Sequence, residues 1–240
     1  MVQYNPVRND SDRFLEWAVD DASAWVSSWD GQRFVYLAGA TAGLVALTFT
    51  DESVSSWAKG LSDGPIEPVL DVANEFGGPV AALIPVTIFA SSLAFGETGM
   101  QDAAFTSLQS YVYSNAIVMV TKMIVGRSRP DSGHGPHDFN PFSGARSFPS
   151  GHASSAFAII MPWVFYYPGV VTYTLVALAA GTGIARIQRQ RHWMTDVIAG
   201  AAISTTMSYY LYKRHTDAQQ PEPSLSPISS GPSMRLSFGL

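Results

Sequence analysis

The chain has 240 residues, a net charge of −5 and no cysteine. The acidic balance argues against a nucleic-acid partner. The missing cysteines exclude disulfides, thiolate metal sites and cysteine nucleophiles. Charge is spread unevenly: the runs 34–50, 76–96, 103–121, 153–185 and 197–212 carry none.

In chain order, 12–30 has a helical period. Phe14, Ala18, Ala22, Trp25 and Trp29 share one face, with Asp21 at its edge. Such a helix can lie in a membrane interface or pack on a bundle, and the pattern fits both. Residues 1–33 are rich in aspartate where a cleavable leader would be basic and then apolar, so the first apolar run would insert uncleaved. A membrane helix needs about 20 apolar residues. The first three charge-free runs meet or approach that length. The acidic stretch 51–75, with a turn signal at Asp63-Gly64-Pro65, reads as a loop, and 97–102 is short enough to make spans two and three antiparallel. The fourth run is long enough for two helices and is broken at Pro168-Gly169. The last reaches span length if it starts near His192. From Lys213 the chain turns polar, with Pro221, Pro223, Pro227 and Pro232 among serines, and reads as a disordered tail. The expected fold is therefore all-α. It is a polytopic membrane bundle of about six helices over 34–212, preceded by an amphipathic helix in 1–33 and followed by a tail at 213–240.

Three charged stretches interrupt this pattern: Lys122 to Pro130, Pro149 to His152, and Arg186 to Asp196. Six alternating spans bring all three to one membrane face. Lys122, Arg129 and Arg186 are cations at helix ends, where charge is expensive. A phosphate dianion suits them: arginine offers a planar fork, lysine a point charge. A helix entered at Ser150-Gly151 presents free N–H groups and a positive dipole end. There Ser150 can cap or bind an anion, Gly151 allows close approach, and His152 can donate a proton. His192 and Asp196 are four apart, so one carboxylate can orient one imidazole and leave the other ring nitrogen free to attack. The histidines then need opposite protonation states. Arg127, Arg146, Arg189 and Arg191 are assigned to headgroup contacts or solvated surface. His134, His137 and His215 are read as solvated. No cluster has metal spacing, so neither metal nor cofactor is expected.

These residues make the chain similar to the type 2 phosphatidic acid phosphatase superfamily, whose pattern is K-x6-RP, PSGH and SR-x5-H-x3-D. The match runs through Lys122, Arg129-Pro130, Pro149-Ser150-Gly151-His152, Arg186, His192 and Asp196. It departs at Ala185, where serine is usual. The resemblance covers about 100–200. It implies that Lys122, Arg129 and Arg186 hold phosphoryl oxygens with help from Ser150 and Gly151. His192 would form a phosphohistidine, His152 would protonate the leaving group, and Asp196 would orient His192. It implies an integral-membrane hydrolase of a lipid phosphate or diphosphate, in a bacterial inner membrane with the site facing the periplasm. Counts of cations on the two faces do not fix that orientation. A non-catalytic phospholipid binder and a vanadate-dependent haloperoxidase are the competing readings. The lipid and the oligomeric state are not legible.

Overall fold

A computed structural model describes residues 11–62 and 64–217. The described residues form nine α-helices and no named strand. They are α1 (Asp12–Ser27), α2 (Gly31–Leu47), α3 (Asp51–Lys59), α4 (Glu67–Glu75), α5 (Leu83–Phe95), α6 (Thr98–Val125), α7 (Gly151–Tyr166), α8 (Val170–Gln188) and α9 (Met194–Asp217).

Helix α7 is the hub, packed against α6, α8 and α9. Small residues let the helices approach. Ala156, Ile159 and Ile160 of α7 bury against Ala81 and Ala179. Buried serines cross-link the helices: Ser110 to Ser208 and Ser154 to Ser204, each at 2.7 Å, and Ser107 donates to the Ile159 carbonyl. Those serines also explain a difference from the expected span count. By length and apolarity two stretches are long enough to cross a membrane, Gly31–Lys59 and Val170–Gln188. A third qualifies if α4 and the helix after it, bent by 55°, count as one span. Helices α6 and α9 carry too much serine, threonine and glutamine, and α7 has only 16 residues.

Helix α2 buries none of its 17 residues, and Phe34, Val35, Tyr36, Leu37 and Val45 are exposed. The stretch 51–75, expected as a loop, contains α3 and α4 joined by a turn. Asp51 continues the helical run because its carboxylate is buried against Arg127 at 2.7 Å rather than solvated. The break at Pro168-Gly169 is present between α7 and α8.

Helix α1 exists, but its buried face differs from the apolar stripe. Arg13, Phe14, Trp17 and Asp21 are buried, while Ala18 and Ala22 are exposed. The charges decide this. Arg13 Nε bonds Asp102 at 2.8 Å, and Asp21 accepts from Arg214 at 2.6 Å and pairs with His215 at 2.8 Å. His215 is thus not solvated. It is fully buried, stacks on Trp17 at 3.8 Å and bonds Thr106. The expected tail start at Lys213 is also too early, since α9 runs to Asp217. The rest of that tail lies outside the described residues.

Helix α6 ends at Gly126 in the left-handed region (φ 57), whose N–H bonds the Lys122 carbonyl. A Cβ there would collide with the Asn140 carbonyl oxygen. Gly126→Ala is therefore expected to destabilise the protein by more than about 1 kcal/mol, read as a lowered unfolding midpoint in detergent.

Candidate active site

The three charged stretches meet. Lys122 lies in the last turn of α6, Gly151 and His152 open α7, and Arg186 lies in the last turn of α8. Arg129 precedes a short 3-10 turn at Pro130–Ser132. His192 stands in the turn between α8 and α9. All six line one pocket of about 400 Å³. Its other wall is Asn115, Val118, Met119 and Met123 of α6, with Arg146 on the rim. Met119 and Met123 are exposed, so the pocket opens from its charged end onto an apolar flank.

Local structure fixes each group. The N–H groups of Arg191 and His192 fold back onto the Arg186 carbonyl, at 3.0 and 3.2 Å, which sets His192 beside Arg186. That turn uses Gln190 at φ 55, a left-handed conformation unusual outside glycine. Ser55 holds Gln190 there through two hydrogen bonds, to its side-chain oxygen at 2.9 Å and from its amide nitrogen at 3.0 Å. Lys122 Nζ donates to the carbonyls of Arg146, Ser147 and Pro149, tying α6 to the loop that leads into α7. Ser150 is buried and lies behind the pocket. Its side chain caps α7, accepting from Ala153, and its N–H bonds the Asp196 carbonyl at 2.8 Å. A Cβ on Gly151 would meet only Lys122 Cε, so that residue faces the pocket.

Arg186 Nη1 bonds Asn74 at 3.2 Å, but its Nε and that of Arg129 are buried with no hydrogen-bond partner among the described residues. Unmet buried donors are costly and call for an acceptor. Two such guanidinium donors on one pocket, beside an ammonium and a helix N-terminus, are chemically suited to an anion. Among the described residues no group of three or more His, Asp or Glu side chains could hold a metal ion.

Asp196 is fully buried behind His192. Its Oδ2 is 3.6 Å from His192 Nδ1, close but longer than a hydrogen bond, and Nδ1 has no other partner. The helix begins at Met194, two residues after His192, so Asp196 instead reaches back to the Trp193 N–H at 2.9 Å, half of a capping box. It also accepts from Ser147 at 2.5 Å and from Arg127 Nη1 at 2.7 Å. Arg127 was expected at the surface and is 1% exposed. Its Nη2 bonds Asp51 at 2.7 Å, and Thr195 bonds both Arg127 and Asp51. Asp51, Arg127, Thr195 and Asp196 thus form one buried network behind the pocket. Arg189 and Arg191 do lie at the surface, paired with Asp71 and Asp131. His134 and His137 are exposed, and His137 bonds Thr48 at 3.1 Å.

The two imidazoles sit among cations. Burial pulls His192 below the ordinary histidine value. The Asp196 charge opposes this and Lys122 and Arg186 add to it, so the ring is held neutral near pH 7. Burial, then Arg186, His192, Lys122 and Arg129, bring His152 at the pocket mouth down to about 4.

Residues 103–220, which contain every residue that lines this pocket, match the PAP2 superfamily. This segment belongs to that superfamily. Its relatives include the lipid A 1-phosphatase of Rhizobium etli, 35% identical over 96 residues, which are 38% of this chain and 41% of that protein. The lipid A 1-phosphatase of Porphyromonas gingivalis is 33% identical over 52% of this chain and 27% of its own. The chain therefore spans less than half the length of these curated relatives. The transmembrane PAP2-type phosphatidylglycerolphosphate phosphatase of Bacillus subtilis shares the fold, with a TM-score of 0.60 at 22% identity over 78% of this chain and 95% of that one. Ala185, the departure from the motif, is fully buried and does not line the pocket.

Proposed function

We propose that this protein is an integral-membrane lipid phosphatase acting on a phosphate monoester or diphosphate of a lipid. The observation that carries the reading is the pair of buried, partnerless guanidinium nitrogens on two arginines that line one pocket, which opens onto an apolar helix flank. The exposed apolar surface of α2, with no buried residue, supports a bilayer around it. In this reading the bilayer is a bacterial inner membrane crossed by six spans, with α6, α7 and α9, too polar or too short by themselves, packed against one another inside the bundle, and the pocket faces the periplasm.

In this reading Lys122, Arg129 and Arg186 hold the phosphoryl oxygens, with the α7 N-terminus at Gly151 and the Ser150 cap behind it. Neutral His192 attacks phosphorus. The phosphorus–oxygen bond to the lipid breaks, and His152 gives its proton to the departing oxygen. Water then attacks the phosphohistidine, passes a proton back to His152 and releases inorganic phosphate from His192. Asp196, held by Arg127 and Ser147, favours the positive charge that develops on the His192 ring.

His152 has to be protonated, yet burial and then the neighbouring cations lower it to about 4. A bound dianion offsets Lys122, Arg129 and Arg186 and favours the charged ring. His152 is thus expected to titrate higher with vanadate bound than without, by about one pH unit or more. NMR titration of the labelled imidazole in detergent measures this, and equal values would contradict the assignment. Replacing His152 with alanine is expected to cost about 10²–10⁴ in rate, least for a substrate whose leaving group is already acidic.

The function is tested by phosphate release in detergent from a panel of lipid phosphates and diphosphates, with EDTA and with vanadate. Turnover that survives EDTA and is blocked by vanadate is expected. Binding without turnover across the panel would overturn it.

A further inference from the structure

The charged end of the pocket does not account for its floor. Asn115 lines the same pocket, seven residues before Lys122 on α6. That places it about 10 Å along the helix from the lysine, at about 1.5 Å per residue. Its neighbours on the wall, Val118 and Met119, are apolar. A polar amide among them is costly unless it is used. Asn115 is held in place: its Nδ2 donates to the Tyr111 carbonyl at 2.8 Å, and its Oδ1 accepts from Ser155 at 3.2 Å. Ser155 is three residues after His152, so this bond forms a polar rung between α6 and α7, about 5–10 Å below the phosphate end. An asparagine amide has two N–H donors and two acceptor lone pairs. One of each is used, so one N–H and one lone pair remain for the pocket.

A phosphate held by the cations directs the lipid's linkage region along this wall. In an acyl lipid, ester or amide carbonyls lie within that distance of phosphorus. A polyprenyl chain offers no polar atom there, and an ether-linked chain offers no carbonyl. We propose that Asn115, positioned by Ser155, reads an acyl carbonyl of the substrate, so that the substrate class is an acylated lipid phosphate rather than an isoprenoid one. This rests on the phosphatase reading above. The physical basis is one hydrogen bond made to a rigid donor. Its loss leaves a polar group facing an alkyl chain, which lowers turnover by about 3–10-fold.

The test compares a diacyl lipid phosphate with its dialkyl ether analogue of equal chain length in mixed micelles. The expected ester-to-ether ratio of kcat/KM is about 3–10 for the native protein. In Asn115→Leu the ratio is expected to fall to about one, because the ester loses its advantage. Ser155→Ala, which removes only the positioning bond, is expected to give an intermediate ratio. A native ratio near one, or a ratio unchanged in Asn115→Leu, would overturn the inference. The native comparison stands even if the leucine variant does not fold. Phosphate release from neither lipid would bring down the phosphatase reading and this inference with it, whereas equal release from both removes the inference alone.

Discussion

Replacing His192 with alanine is expected to lower phosphate release by at least about 10³-fold while leaving the protein folded. In the proposed mechanism this imidazole is the nucleophile, and the other charged side chains of the pocket have different roles. There Lys122, Arg129 and Arg186 hold the phosphoryl oxygens, and His152 is needed on the leaving side. The stability cost is small by comparison. His192 Nδ1 makes no hydrogen bond, and Asp196 keeps Arg127, Ser147 and the Trp193 N–H. Thermal unfolding near the native value together with lost turnover separates a chemical role from a structural one. Turnover within about tenfold of native would remove His192 from the nucleophilic role.

The second large effect is expected at Arg127, and it falls on the fold first. Arg127→Met keeps the length of the side chain but strips one partner from both Asp51 and Asp196, each fully buried. Breaking a buried pair from one side costs about 3–5 kcal/mol, because a charge is left without compensation. Arg127→Lys should recover only part, since one ammonium cannot fork to two carboxylates and the Pro136 carbonyl as the guanidinium does. A lowered unfolding midpoint in detergent, larger for methionine than for lysine, is the expected result. In Arg127→Met combined with Asp51→Leu part of the loss should return, because one buried charge is gone. An unfolding midpoint unchanged in Arg127→Met would contradict the network.

The same two residues show what the sequence can carry. His192 was legible because its neighbours at fixed spacing, Arg186 and Asp196, belong to a motif, and the alternation of apolar runs brought that motif to the others. The local reason for the spacing was different from the expected one. His192 stands before the helix, and Asp196 is first a cap for α9. Arg127 was not legible. It is two residues from Arg129 in the same charged stretch, and nothing local distinguishes the buried one from the pocket one. Its partners Asp51 and Asp196 lie far off in sequence, and only packing brings them in. Asp51 was hidden for the same reason, as the acid pair Asp51-Glu52 at the end of an apolar run looks like a boundary. Here it is neutralised by Arg127, so the helix continues.

Helix α1 gives the converse case. Its period was visible, and Asp21 weakened the apolar stripe. In the structure Asp21 is the anchor, joined to Arg214 and His215 of α9. A titratable residue in a polar terminal stretch reads as solvated unless its partner is known, and that partner is near the other end of the chain. Asn115 was likewise silent in sequence. Only the placement of α6 against α7 shows it among apolar wall residues with a hydrogen-bonded partner.

In the proposed mechanism His192 carries the phosphoryl group during turnover. Rapid quenching of the protein with a radiolabelled lipid phosphate, followed by peptide mapping, tests it most directly. An acid-labile, base-stable label is expected on the peptide containing His192 and is expected to be absent from His192→Ala. A label on another residue, or one that persists in His192→Ala, would contradict it.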